Sequence, residues 1–108
     1  VLGRHSKVWK GNDCFVFRGV PYAEPPGRFA KPKPKKPWGP KALEAREFRP
    51  PCVGSGIKDV EEAEDCLHLN IWLPLGARKD MPVIVYLHGG MNQHGAGHEP
   101  QREGDLVV

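Results

Sequence analysis

Twelve prolines and thirteen glycines fall within 108 residues, and this density constrains the fold more than any other feature. Proline inside a helix removes a backbone donor and clashes with the preceding turn, so most of the chain is expected in turns and extended segments. No long amphipathic helix can be traced anywhere. A parallel sheet needs crossover helices to cover its faces, and this chain cannot supply them. Residues 1–108 are therefore read as at most one domain, with a modest core.

Three apolar runs survive the punctuation. Residues 14–20, Cys-Phe-Val-Phe-Arg-Gly-Val, read as a strand running into the proline-rich stretch that starts at Pro21. In residues 67–73, Leu67, Leu69, Ile71 and Leu73 alternate with His68, Asn70 and Trp72, which is a strand with the leucines in the core and His68 facing outward. Residues 83–87, Val-Ile-Val-Tyr-Leu, read as a strand buried on both faces, pairing antiparallel with the strand before it. Leu106–Val108 would add a third neighbour to that sheet. Residues 41–48 hold helix formers but are stopped by Arg-Pro-Pro, so at most two helical turns are expected there. Residues 53–65 are polar, acidic and glycine-bearing, as a surface loop is.

Composition excludes several classes of function. A net charge of +3 is too slight to indicate nucleic acid. No apolar run approaches the ~20 residues of a spanning helix, and no signal-peptide layout opens the chain. The lysines of residues 31–41 sit among Pro32, Pro34, Pro37 and Pro40, which favours a stiff extended ribbon. An acidic partner could bind it, but a solvated surface ribbon is the favoured reading. Cys14, Cys52 and Cys66 fit no metal motif, and one disulfide with a thiol left over is the simpler reading. A disulfide implies an oxidising compartment, so a secreted protein or one on the outer face of a membrane is expected.

The exit of the 83–87 run carries the chemistry. His88, Gly89 and Gly90 follow it directly, and glycine there lets backbone N–H groups approach an anion. A phosphate cradle would need Gly-Lys-Ser/Thr, which is absent. His88, His94 and His98 lack metal-ligand spacing on a helix, so no metal and no cofactor are implied. Acyl transfer fits better: backbone donors in a dry site stabilise the developing oxyanion by ~3 kcal/mol each, and a His-Gly-Gly loop after a sheet strand is half of that device in esterases.

Phe-Arg-Gly-Val-Pro-Tyr-Ala-Glu-Pro-Pro-Gly-Arg-Phe, the proline-lysine ribbon ending at Trp38, Glu-Asp-Cys-Leu-His-Leu-Asn-Ile-Trp-Leu-Pro and Pro-Val-Ile-Val-Tyr-Leu-His-Gly-Gly occur in that order. The order and spacing resemble the start of type B carboxylesterases, a family that includes cholinesterases and neuroligins. The resemblance implies an α/β fold, the opening part of an α/β-hydrolase: a small N-terminal antiparallel sheet plus the first strands of a central mixed sheet. Such a piece is incomplete as a domain, and the chain's opening at Val1 and its end within an apolar run point the same way. It further implies a Cys52–Cys66 disulfide that leaves Cys14 unpaired, a structural ion pair between Arg28 and Glu64, and an oxyanion hole at Gly89, Gly90 and Met91, with the N–H groups of Gly90 and Met91 as donors.

Departures from the family pattern matter. Met91 stands where a third glycine is usual, and Asn92 where an aromatic is usual; a positive φ at Met91 would be strained. Only Gly27 separates Pro26 from Arg28, where the family has several residues. The 53–65 loop has no tryptophan to cradle a quaternary ammonium, so a choline ester is not the expected substrate. No Gly-x-Ser-x-Gly occurs, so the chain contains no catalytic nucleophile and His88 has nothing to activate. Two readings follow: a segment of a serine carboxylesterase acting on small-molecule carboxylic esters, or a non-catalytic, neuroligin-like adhesion protein with a protein partner.

Overall fold

The structure is a computed structural model and describes residues 1–7, 13–97 and Gly104. Five strands form two antiparallel sheets, and the described residues contain no α-helix. Strand β1 (Arg4–Lys7), β2 (Asp13–Pro21) and β5 (His68–Pro74) make a three-stranded sheet in the order β1-β2-β5; β3 (Ala23–Glu24) pairs with β4 (Lys33–Pro34).

The register of β2 on β5 explains the core. Val16 lies opposite Trp72 and Cys14 opposite Pro74. Cys14 and Val16 are fully buried with Trp72 packed against them, and residues 43–49 run alongside Leu2, Arg18 and Gly19. Leu2 N–H donates to Leu43 O at 2.7 Å, Ala45 N–H to Leu2 O at 2.9 Å, and Arg18 N–H to Ala45 O at 2.7 Å. Those bonds replace the two helical turns expected over 41–48: with the groups of Leu43 and Ala45 engaged across the chain, the segment runs in bends instead. The Arg18 guanidinium sits 4.1 Å above the Phe48 ring centroid, a cation-π contact in a buried setting.

The alternation in residues 67–73 is real, but its sense is reversed. His68, Asn70 and Trp72 are half-buried, whereas Leu69, Ile71 and Leu73 are each about two-fifths exposed, beside the exposed Phe15. Both faces carry apolar side chains, and period two cannot say which one the rest of the chain will cover. His68 is thus not outward-facing; burial lowers its pKa.

The 83–87 segment corrects a second expectation. Among the described residues it forms no strand and joins neither sheet, and its residues are 59–86% exposed. A strand requires a hydrogen-bonded neighbour. β2 takes only one edge of β5, but turns held by Ala77 N–H to Pro74 O and Met81 N–H to Arg78 O lead the chain away from the other. The run proposed at 106–108 lies outside the described residues.

Between Phe17 and Val20, β2 advances one residue more than β5, which is a bulge. Gly19 sits in it with φ +67°, and a Cβ there would lie 2.4 Å from Arg49 Cγ. Replacing Gly19 by Ala is expected to destabilise the protein by about 2 kcal/mol or more through strain and overlap together, read as a lowered urea midpoint.

Candidate functional site

Three chain segments meet around the bulge. Gly19 N–H has left the ladder, and Asn70 Oδ1 accepts it at 2.9 Å; Asn70 Nδ2 then donates to Gly97 O at 3.1 Å. One amide side chain, using both its acceptor and its donor, fastens the sheet to the end of the 88–97 loop. Ala96, next to that anchor, is 6% exposed.

The loop itself is a tight turn. Gly90 O accepts from Gln93 N–H at 2.9 Å and from His94 N–H at 3.2 Å, and His88 Nδ1 lies 3.0 Å from Gly89 O. Gly90 has φ +130° and Gly95 φ +108°. A Cβ on Gly90 would stand 2.0 Å from His94 O, and one on Gly95 2.4 Å from His88 Nδ1, so both positions require glycine. Gly89 has open space around it. Met91 and Asn92 adopt φ +54° and +57°, and the Met91 side chain is 80% exposed. Among the described residues, no group accepts a hydrogen bond from Gly90 N–H or Met91 N–H.

Across from this turn lies the loop closed by the Cys52–Cys66 disulfide. Closing 14 residues removes unfolded-state freedom, an effect of about 3 kcal/mol. Inside it, Glu62 accepts from Gly54 N–H at 2.8 Å, Ser55 N–H at 2.8 Å and Ser55 Oγ–H at 2.7 Å. Ser55 O in turn accepts from Gly95 N–H at 2.8 Å. The loop is largely solvated, as its composition predicts, but Ser55 is 4% exposed and buried against the 93–95 backbone. Composition could not single out Ser55, Glu62 or Asn70; the nearest signal was Ser55 between two glycines, both at positive φ.

Arg28 Nη2 contacts Glu64 Oε1, with both side chains nearly three-quarters exposed. In water such a pair contributes about 0–1 kcal/mol, not the larger figure of a buried pair. Beside it a groove of about 370 Å³, lined by Pro26, Phe29, Val53, Glu64 and the disulfide, opens on the surface; no residue of the 88–95 turn lines it. Gly27 begins a turn closed by Ala30 N–H to Gly27 O at 2.9 Å, with Phe29 at φ +62° and fully exposed. Cys14 is a buried thiol outside the disulfide. Among the described residues no cluster of three His, Cys, Asp or Glu side chains could hold a metal, and no helix is long and apolar enough to cross a membrane. His98 lies outside the described residues.

A profile of the carboxylesterase family matches residues 1–107. The chain belongs to the carboxylesterase family. Among its relatives, acetylcholinesterase of Bungarus fasciatus is 40% identical over 97 residues, covering 75% of this chain and 16% of that protein. Para-nitrobenzyl esterase of Bacillus subtilis is 34% identical over 121 aligned residues, covering all of this chain and 24% of that protein. Human bile salt-activated lipase is 34% identical over 93 residues, with 82% and 12% covered. The chain therefore spans less than a quarter of the length of these relatives.

Two outcomes test the local physics. A non-glycine residue at φ +54° is strained, so Met91→Gly is expected to stabilise the protein by about 0.5–1 kcal/mol, the strain released less the added unfolded-state freedom, measured by urea denaturation. Hydrogen bonds from Gly54 N–H, then from Ser55, hold the Glu62 carboxyl below its ordinary value of 4.5. A depressed folded value gives stabilisation that is complete above the unfolded pKa and lost as pH falls through the folded one. Unfolding midpoints taken from about pH 6 down to about pH 3 should consequently fall less steeply in Glu62→Gln than in the native protein.

Proposed function

We propose that this chain supplies the oxyanion-hole segment of a serine carboxylesterase, with Gly90 and Met91 N–H as donors and Gly89 giving the acyl group room. A serine from elsewhere in the polypeptide attacks the ester carbonyl; the carbonyl oxygen gains negative charge and is held by the two amides; the alcohol leaves and water releases the acid. The observation that carries this reading is that, among the described residues, nothing accepts from Gly90 N–H or Met91 N–H, in a turn whose close main-chain packing requires glycine at 90 and 95. Electrostatically, such donors need no reorganisation when charge develops, which is why they stabilise a transition state better than water does.

In this reading the 108 residues form the N-terminal part of one α/β-hydrolase domain, and the antiparallel sheets are its opening elements. The substrate is a small carboxylic ester. The 53–65 loop has no tryptophan, so selectivity for a quaternary ammonium is not proposed. The disulfide supports secretion or display on the outer face of a membrane. Relatives named for ester hydrolysis favour the hydrolase over the adhesion reading.

A fluorophosphonate probe decides between them. A full-length protein carrying these residues is expected to be labelled stoichiometrically on serine and to release nitrophenol from a nitrophenyl ester with an acyl-enzyme burst. A folded full-length protein that takes no label removes the esterase reading.

A further inference from the structure

Among the described residues, the 88–95 turn holds its shape through contacts to itself and through one hydrogen bond to another part of the chain, Gly95 N–H to Ser55 O. Gly95 is packed against His88 and Gly89, so the position of Gly95 sets the position of the start of the turn. Ser55 is in turn held by a carboxylate that engages three donors on two consecutive residues. The side chain that fixes the Ser55 carbonyl is therefore Glu62, which lies outside the turn and 26 residues before its first residue, His88. Nothing in the turn itself reveals the dependence.

We propose that Glu62 is a positioning residue for the Gly90 and Met91 amides: its carboxylate fixes the Gly54-Ser55-Gly56 bend, and the Ser55 carbonyl then fixes Gly95 and the register of the turn. The proposal rests on the oxyanion reading for its catalytic consequence, though not for its structural one. Glu62 touches no reacting atom in this scheme. A carboxylate suits the task because its two oxygens accept from Gly54 and Ser55 at once, with Ser55 Oγ–H sharing Oε1. Ser55 Oγ also accepts from Ile57 N–H at 3.2 Å, which closes the bend on its far side. A misplaced oxyanion donor lowers transition-state binding without weakening ground-state binding, so kcat should fall and KM should hold.

Glu24 provides the control. It is also a carboxylate with a depressed pKa, accepting from Lys35 Nζ at 3.0 Å and Lys36 N–H at 3.1 Å, but it serves the β3–β4 ribbon. The experiment uses the full-length protein bearing Glu62→Ala, Glu62→Gln or Glu24→Ala, and reads nitrophenyl-ester kinetics together with amide hydrogen exchange across residues 86–97. Glu62→Ala is expected to lower kcat about tenfold at constant KM and to speed exchange across 88–95 by a similar factor. Glu62→Gln, which keeps one acceptor oxygen, should fall between it and the native protein, and it carries both readouts where the alanine variant does not fold. Glu24→Ala should change neither.

Exchange that rises only at residues 53–57 in the Glu62 variants, with kcat within about twofold of native, overturns the proposal. So does an equal loss in Glu24→Ala, which would make the effect one of general stability. If the native protein turns over no ester, the oxyanion reading fails alone; faster exchange across 88–95 in the Glu62 variants would still establish the positioning role, and unchanged exchange would end it.

Discussion

The one-residue bulge in β2 governs how the described residues fit together. An extra residue leaves Gly19 N–H outside the ladder, and a buried backbone donor needs an acceptor. Asn70 provides it from the neighbouring strand, and its own amide hydrogens then reach Gly97. Trp72 stands two residues further along the same face, against Val16 and Cys14. A slip of one residue between β2 and β5 would turn Asn70 and Trp72 to the opposite face together, losing the core and the loop anchor at once. Packing and site geometry are therefore set by the same register.

Within the disulfide loop, different interactions act on different states. The Cys52–Cys66 bond stabilises mainly by restricting the unfolded chain, and it leaves much of the loop's folded shape undetermined. The shape comes from hydrogen bonds to Glu62, which gather Gly54 and Ser55 onto one carboxylate. The Arg28–Glu64 pair contributes little beside either, since water screens two side chains so exposed. A covalent link brings the loop's ends together, and a charged acceptor then aims one carbonyl at the neighbouring turn.

Strand positions were legible where the sequence alone determines the outcome. The β2 run, the alternation in β5 and the scarcity of helix all follow from period and proline content, and they hold in the structure. Which face of β5 is buried did not follow, because Trp72 on one side and the leucines on the other are both apolar. Residues 83–87 failed for a related reason: apolar composition reports what a segment gains by burial, while strand formation depends on a partner that composition does not reveal. At the site, Gly90 could be singled out from its place after His88, and His94 O leaves no room for a Cβ there, whereas Gly89 has open space. Ser55, Glu62 and Asn70 could not be singled out, because their roles arise from contacts between segments and each looks like an ordinary polar residue in its own stretch.

The turn also shows why a methionine can follow the His-Gly-Gly stretch directly. Gly90 and Gly95 face backbone at distances that no Cβ could meet, so a side chain at either would open the turn. Met91 meets a different constraint: its φ of +54° costs strain, but its side chain runs into solvent. Strain of this kind is on the order of 1–2 kcal/mol, whereas a Cβ 2.0 Å from His94 O could be relieved only by moving main chain. The N–H at 91 belongs to the backbone and survives the substitution. The geometry of the turn thus depends on glycine at 90 and 95, held from outside by Ser55, and only weakly on the residue at 91.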